Sequence, residues 1–490
     1  MLNYDVITVI CAQISDREID LDHSVSKDLL SLGLASKKSL GPALDMIWKR
    51  ISSLEPLLSV LPETALMFLG PIAPSSWDRL HFYTSRVREF NGPWEGEEPS
   101  IHDSVYAYLG QGKLIFPKLR KLHLTHQLCC SNSFTPFLAT SLQVVSWGFD
   151  LPKAAWSPED NMSSSEIDLG PSLALLVSKN PKLEYLTLGQ YSYSGLSLSL
   201  SRLCTLELLS ANHLPHLEMG FIQAIASLPK LINLYLTLPT GTLLDYTGVE
   251  GGFRSLTKLE LRGSTFDTRK FLAVARPKAL QDLIIDWGFK AGEDQSPLLV
   301  DIAAITQCLP SFPFLRNLEI DREGLVSLPT DLDEHEIWSI FEPLLELQRL
   351  ENLYYNIPLP VSDQKTAKIA SAWPHLKDLY LFSADGLSSL GSLAHFARHC
   401  PDLEILSYPI QLQTTPSTAV IPPTLSPHPL HTFQAQGQTN VKNAPDIALG
   451  LYQIFPNLAQ ARGRGVGWRL VQKILDSFIF LREQNRYHKE

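Results

Sequence analysis

Cysteine is scarce in this sequence, with 6 residues in 490, and their positions show no spacing typical of a disulfide framework or a zinc site. This scarcity favours a reducing compartment. No run of about 20 apolar residues is present, which argues against a membrane-spanning helix and against a membrane as partner. Residues 1–15 lack the basic start of a secretory signal peptide. We therefore expect a location in the cytoplasm, the nucleus or both.

Positive charge is also limited, since 41 Lys and Arg residues face 51 Asp and Glu residues. No basic domain stands out, so we do not expect nucleic acid as the principal partner. No nucleophile elbow or phosphate-binding loop is present, and we expect no catalytic, cofactor-binding or metal site. His395 and His399 lie one helical turn apart beside Cys400, a spacing that can bind metal. Favourable charge at a helix C-terminus is the simpler interpretation.

The length of 490 residues exceeds the roughly 250 to 300 that one hydrophobic core supports, which indicates several domains or an elongated repeat structure. A recurring phrase, L-x-x-L-x-L, decides between the two. Its first leucine or equivalent occupies positions 119, 142, 183, 203, 231, 256, 280, 315, 350, 376 and 403. The mean interval is about 28 residues, within the range of leucine-rich repeats.

The phrase predicts a strand with two different faces. The leucines of L-x-L face one side, and the residue between them faces the other. The middle residues are often polar or aromatic: His123, Thr187, Glu207, Tyr235, Glu260, Glu319 and Tyr380. Helical stripes such as Met219–Leu228 fill the intervals, with helix starts expected at Asp267, Asp333 and Ser362. The sequence therefore predicts an α/β fold, an irregular leucine-rich-repeat solenoid with parallel strands on its concave face and helices outside.

Four domains follow from these patterns. Residues 1–62 form a helical module with helices at Asn3–Ile14, Lys27–Ala35 and Leu40–Ile51, and residues 63–113 form a linker and N-terminal cap. The solenoid spans 114–467, with weak late repeats at Leu430 and Leu458 and a loop at Thr414–Pro429. Residues 468–490 form a capping helix and tail.

Several residues of the first module form a recognisable pattern: Leu2, Asp5-Val6-Ile7, Ile10, Ile14, Asp28-Leu29-Leu30, Leu32, Leu34, Ala35, Ser36 and the run from Ala43 to Ile51. With these residues the module resembles the F-box of the fungal F-box/leucine-rich-repeat proteins, and the last run is similar to the family's "LW..I" ending. The usual Leu-Pro opening is replaced by Leu2-Asn3. The resemblance implies a small all-α, F-box-like module that binds a Skp-type adaptor and, through it, a cullin scaffold. The implied adaptor contacts are Leu2, Val6, Ile7, Ile10, Leu30, Leu34 and Trp48.

The resemblance implies a non-catalytic substrate-recognition subunit of a cullin–RING (SCF-type) ubiquitin ligase, with an unspecified protein substrate held by the repeats. The alternative is a protein-binding scaffold without a ubiquitin-ligase link, whose N-terminal helices only cap the first repeat. Tyr235 and Tyr380 occupy the middle of L-x-L and are the predicted substrate-groove residues, because tyrosine often dominates interfaces. Tyr185 and Tyr354 depend on register, and all four are equally compatible with ordinary surface tyrosines.

Overall fold

The structure is a computed structural model in which the chain forms two compact units, Met1–Leu231 and Ile232–Glu490. It describes residues 4–16, 23–61, 74–92, 114–125, 129, 132–148, 167–212, 214, 217, 220–238, 248–287, 296–322, 334–382, 388–412, 428–437 and 440–487. The predicted helix start at Asp333 and nearly all of the predicted loop Thr414–Pro429 lie outside these residues. No helix among them is both long enough and apolar enough to cross a membrane.

In the first unit, three N-terminal helices precede a series of short strands. The helices are α1 (Tyr4–Asp16), α2 (His23–Ala35), α3 (Lys37–Ile47), α4 (Glu55–Leu58), α5 (Pro74–Thr84), α6 (Gly170–Lys179), α7 (Leu196–Leu200) and α8 (Phe221–Ala226), with a 3₁₀ helix at Asn132–Phe137. The strands are β1 (Arg50–Ile51), β2 (Glu89–Asn91), β3 (Lys121–Leu124), β4 (Val144–Trp147), β5 (Tyr185–Leu188) and β6 (Leu208–Ala211).

In the second unit, strands and helices alternate almost to the end. The strands are β7 (Asn233–Thr237), β8 (Lys258–Arg262), β9 (Asp282–Asp286), β10 (Asn317–Asp321), β11 (Asn352–Tyr355), β12 (Asp378–Leu381), β13 (Ile405–Pro409), β14 (Thr432–Gln436) and β15 (Gln460–Gly463). The helices are α9 (Thr265–Ala275), α10 (Ser296–Cys308), α11 (Glu334–Phe341), α12 (Asp363–Ala372), α13 (Ala394–His399), α14 (Ala444–Ile454) and α15 (Trp468–Tyr487), with 3₁₀ helices at Leu309–Ser311, Glu342–Glu346 and Leu390–Leu393.

Within each unit the strands pair in chain order, and every pairing is parallel. Parallel neighbours require a crossover between them, which the helices and loops provide. The predicted fold class is therefore confirmed: an α/β leucine-rich-repeat arrangement preceded by a small helical module. The weak late repeats at Leu430 and Leu458 are also confirmed, because β14 and β15 follow them.

The two faces of each strand differ as the phrase predicts. In β7, Leu234 and Leu236 are buried, whereas Tyr235 between them is half-exposed. Buried strand residues contact the helices, as where Phe341 of α11 packs edge-on against Tyr355 of β11 with ring centroids 5.2 Å apart. Full burial of one leucine side chain contributes about 1.5–3 kcal/mol, and each repeat buries several. We call the opposite face, which carries the middle residues, the open face.

The paired strands begin before residue 114, the predicted start of the solenoid. Strand β1 pairs with β2 and β2 with β3, so Ile51, Phe90 and Leu122 lie side by side. Helix α3 accordingly ends at Ile47, and the prediction that this helix continues to Ile51 is wrong. A turn at Trp48 and Lys49, with Trp48 N–H donating to Leu44 O, separates the helix from the strand.

The repeat predicted to begin at Leu203 is also misplaced: the observed repeat begins three residues later, at Leu206. Leu209, not Leu206, pairs with Leu186, so Ser210 and not Glu207 is the middle residue of β6. Leu206 is fully buried as the leading residue of this repeat. The predicted helix start at Ser362 is confirmed, since its side chain accepts from Lys365 N–H. At α9 the capping residue is Ser264, which accepts from the N–H of Asp267.

Helix α15 closes the second unit by packing against β15. The side-chain oxygen of Gln472 accepts from Ala461 N–H at 2.7 Å, and its Nε2 donates to Ala459 O at 2.9 Å. One amide side chain therefore satisfies two backbone groups that a further strand would otherwise pair with.

Candidate functional site

The open face of the second unit carries a groove of about 530 Å³ that crosses the strands from β8 to β14. Strand register places its central residues in one row: Ile284, Glu319, Tyr354, Tyr380, Ser407 and Gln434. The groove exists because the middle position of each repeat is repeated in register. Its chemistry is therefore set by one residue per strand and by the neighbouring rows.

A stacked pair of tyrosines lies in the middle of this groove. Tyr354 and Tyr380 are direct neighbours on β11 and β12, with ring centroids 4.3 Å apart and planes inclined by 16°. Both side chains remain half-exposed. Burial and the nearby Asp321 carboxylate raise the pKa of Tyr354 well above its ordinary value, so this hydroxyl stays protonated. The pair offers a flat aromatic surface with hydroxyl groups that can donate or accept.

Carboxylates lie beside the tyrosine pair. Burial, followed by the charges of Asp321, Glu260 and Asp286, raises the pKa of Glu319 above its ordinary value, against a smaller opposing effect of Lys258. Burial and Glu404 likewise raise the pKa of Asp378. Both shifts have the same meaning, because each carboxylate is held in a place that disfavours its negative charge.

Asparagine side chains form a second row next to these carboxylates. Asn317 donates from Nδ2 to the Asp282 carboxylate, and the side-chain amide of Asn352 lies against that of Asn317. Asn356 donates to Asp321 Oδ1 at 2.7 Å. These amides satisfy hydrogen-bond acceptors without supplying positive charge, so the groove stays negative.

Of the two predicted groove residues, Tyr380 lines the groove and Tyr235 lies outside it, on β7. The two stand in the same row but five strands apart, about 24 Å at ordinary strand spacing. Lys258 Nζ lies 5.6 Å from the Tyr235 ring centroid, which makes a cation–π contact. Sequence reasoning gave less weight to Tyr354 because its repeat ends in Tyr355 instead of leucine. The signal was present, since Tyr354 also occupies the middle of its phrase.

The N-terminal helices present the other candidate surface. Their core consists of Ile7, Cys11, Leu29 and Ala43, all buried. Outside this core, Val6 and Val9 on α1 are 44% and 56% exposed, and Leu30 and Leu34 on α2 are 46% and 75% exposed. Helices α1 and α2 contact each other and both contact α3. Apolar side chains therefore lie at the surface of this module.

The predicted adaptor residues differ in their exposure. Val6, Leu30 and Leu34 are exposed, and Ile10 is half-buried. Ile7 belongs to the helical core, and Leu2 lies outside the described residues.

Trp48 points elsewhere, toward helix α5. It is half-buried, and its ring lies 4.8 Å from that of Tyr83. Arg86 forms an ion pair with Asp45 of α3 on the same side. These contacts attach the helical module to α5 and to the residues that follow it, so Trp48 has a structural role.

The paired histidines of α13 show no metal-binding arrangement. The rings of His395 and His399 lie 6.5 Å apart, and burial with Arg398 lowers the pKa of His395. Cys400 is buried, and its Sγ lies 3.3 Å from Ala370 O. In the described part of the chain, no group of three or more metal-ligating side chains comes together.

Comparison with known proteins yields a similarity to a solved structure but no match in sequence. No protein-family model matches the sequence, and no curated protein matches it significantly. Among solved structures, the chain is similar to one in the crystal structure of the Rad7 and Elc1 complex in yeast, at 11% identity and a TM-score of 0.35. The alignment covers 91% of this chain and 93% of that one. A TM-score this low gives no support to any shared partner or function.

Proposed function

We propose that this chain is a non-catalytic substrate receptor of a cullin–RING ubiquitin ligase. Its N-terminal helices bind a Skp-type adaptor, and its open face holds a protein substrate. Ubiquitin transfer is performed by other subunits, and the contribution of this chain is proximity, which raises the effective concentration of substrate beside them. The chain thereby acts in the cytoplasm, the nucleus or both.

The observation that carries this proposal is the exposure of apolar side chains on two contacting helices, Val6 and Val9 on α1 and Leu30 and Leu34 on α2, outside a buried helical core. Exposed apolar patches on soluble proteins mark interaction sites. The residues coincide with those that the F-box resemblance implies, apart from Val9. A stable adaptor interface needs at least about 1,000 Å² of buried surface in total, so neighbouring side chains must contribute.

A scaffold without a ligase link is the second candidate. It is favoured by the burial of Ile7 and by the contact between Trp48 and Tyr83, because a capping module needs only to pack on the first repeat. Under this alternative, Leu30 and Leu34 are exposed without a partner.

Co-expression with a Skp-type adaptor separates the two candidates. Removing residues 1–50 is an unsuitable test, since it deletes Trp48 and Asp45 from their contacts with Tyr83 and Arg86. We suggest the double variant Leu30→Asp/Leu34→Asp in the full chain. The adaptor should co-purify with the unchanged chain and be lost from the variant.

The matched control is Leu198→Asp, because Leu198 is 64% exposed on α7 of the same unit. This variant should retain the adaptor. If the unchanged chain fails to retain adaptor, the ligase function is excluded. If the double variant and the control retain it equally, the adaptor binds a different surface.

A further inference from the structure

We propose that the groove on the open face binds an arginine side chain presented by an extended segment of a protein partner. The guanidinium lies on the Tyr354–Tyr380 pair and donates hydrogen bonds to Glu319. This proposal rests on the proposed function, in which the groove holds the substrate, and it names the chemical class that the groove selects.

Charge is the first argument. The described residues that line the groove include three carboxylates, those of Asp282, Glu319 and Asp378, against the single ammonium group of Lys258. Within the described chain, no cation forms an ion pair with Glu319. Burial and neighbouring carboxylates raise the pKa of Glu319, and the opposing charge of Lys258 does not cancel them. A second cation bound in the groove would therefore relieve an existing repulsion. The occupant is therefore positively charged.

The tyrosine pair favours arginine over lysine. A guanidinium is planar, stacks on aromatic rings and can donate two parallel hydrogen bonds to one carboxylate. An ammonium group is compact and strongly hydrated, and it gains less from a flat surface. Tyr354 stands directly beside Glu319 in the row, so the ring and the carboxylate can contact the same guanidinium.

The chain itself supplies an example of an arginine held by carboxylates on the same face. Arg262 Nε lies 3.1 Å from Glu260 Oε1 and 3.5 Å from Asp286 Oδ2, between β8 and β9. This guanidinium partly neutralises two carboxylates near one end of the row. Glu319, on the next strand, has the same kind of neighbours without such an arginine among the described residues.

An unused acceptor lies beside the groove as well. Gln436 is 1% exposed and donates to the hydroxyl of Ser407, which lines the groove. Its Oε1 has no hydrogen-bond partner among the described atoms. Buried acceptors are normally satisfied. This acceptor lies behind Ser407 and would have to turn toward the groove to meet a donor of the ligand.

The dimensions favour a protein segment over a small molecule. The lining runs from Lys258 on β8 to Gln434 on β14. Six strand intervals of about 4.8 Å make a length of about 29 Å, which matches eight or nine residues of extended chain. A single small cation would cover only the tyrosine pair.

Fluorescence anisotropy with labelled peptides tests the proposal on the full chain. The probe is a peptide of about nine Gly and Ser residues with arginine at every third position, compared with versions carrying lysine or glutamine instead. We expect the arginine peptide to bind about tenfold more tightly than the glutamine peptide, with lysine between them. Equal binding of the arginine and glutamine peptides would overturn the proposal. Competition by unlabelled L-arginine at the affinity of the peptide would also overturn it, in favour of a small-molecule site.

Two variants locate the binding. Tyr354→Ala and Glu319→Gln should each weaken the arginine peptide by about tenfold. Glu319→Gln removes an unfavourable charge and should fold at least as well as the parent, so a folding defect in Tyr354→Ala leaves the test decisive. The matched controls, Tyr185→Ala and Glu207→Gln in the first unit, should bind as the unchanged chain does. Binding unaffected by Glu319→Gln would refute the assignment.

The adaptor experiment keeps this inference separate from the proposed function. Tyr354→Ala and Glu319→Gln should retain a Skp-type adaptor as the unchanged chain does. Arginine-dependent peptide binding without adaptor binding supports the groove and refutes the ligase function. Adaptor binding without arginine dependence refutes only the groove assignment.

Discussion

A chain of buried hydroxyl groups connects β13 to α12, and it allows a quantitative prediction. The Tyr408 hydroxyl donates to Thr366 Oγ1 at 2.9 Å, and both residues are fully buried. Thr366 Oγ1 lies 3.0 Å from Ser362 O and 2.9 Å from Ser388 Oγ, one of which takes its proton. Ser388 donates to Val361 O at 2.6 Å. Water cannot replace a partner that is removed from this network.

Substituting the donor of the Tyr408–Thr366 hydrogen bond should lower the free energy of unfolding by less than substituting its acceptor. Tyr408→Phe removes the donor, and Thr366 keeps a partner for its own proton, so the free energy of unfolding should fall by about 1 kcal/mol. Thr366→Val removes the main acceptor of the buried Tyr408 hydroxyl and leaves it only its weaker interaction with Ser388, so the loss should be about 2 kcal/mol. In the double variant no phenol remains to be left unsatisfied. Its loss should be smaller than the sum of the single losses by about 1–2 kcal/mol.

Urea denaturation of the four proteins at neutral pH, followed by tryptophan fluorescence, measures these differences. Ordinary stability differences at independent sites add to within about 0.3–0.5 kcal/mol. Additivity within that limit would refute the reasoning, because it would mean that Tyr408 and Thr366 do not depend on each other. A larger loss for Tyr408→Phe than for Thr366→Val would refute it as well.

Three further substitutions test other parts of the chain. Leu34→Ala should weaken adaptor binding by about 1–2 kcal/mol, or roughly 5- to 30-fold by calorimetry, because its 75% exposed side chain would be buried in the complex, and Leu198→Ala should have no effect. Glu319→Gln should stabilise the fold at neutral pH by a few tenths of a kcal/mol. The folded state binds this proton more tightly than the unfolded state, so stability falls as the pH rises from the ordinary carboxyl pKa through the raised pKa of Glu319. Thermal melts should therefore show that the stability gained by Glu319→Gln disappears below about pH 4. A stability gain that grows on acidification would contradict the raised pKa of Glu319. Ser264→Ala should cost about 1 kcal/mol in the same melts because it removes the cap of α9, and an unchanged melting temperature would mean that Asp267 N–H finds another acceptor.

The sequence was sufficient to predict the repeats because their physical cause is local. A leucine on each side of a middle residue must be buried on one face of a strand, and Leu234 and Leu236 are so placed around Tyr235. The strands at Ile51 and Phe90 escaped detection because Trp48 and Val87 stand where the phrase has its first leucine. In those two repeats the three-residue interval of the phrase is retained, but other apolar residues stand in place of the first two leucines.

The groove could not be predicted from any single repeat, because it forms only when neighbouring strands pair. Leu203, Leu206, Leu208 and Leu209 allow two frames, and packing against the preceding repeat selects one of them. Tyr354 and Tyr380 stack because the crossover between them keeps the two strands in register. Their contact, and the raised pKa of Glu319 that goes with the crowded carboxylates, arises only when several strands are assembled.

The amide of Gln472 has a consequence for the behaviour of the chain in concentrated solution. An open edge strand can recruit a strand of another molecule and start a polymer. The bonds from Gln472 to the backbone of Ala459 and Ala461 occupy groups that such a recruit would need. Loosening α15 would therefore expose two backbone groups at β15 to pairing with a strand of another molecule.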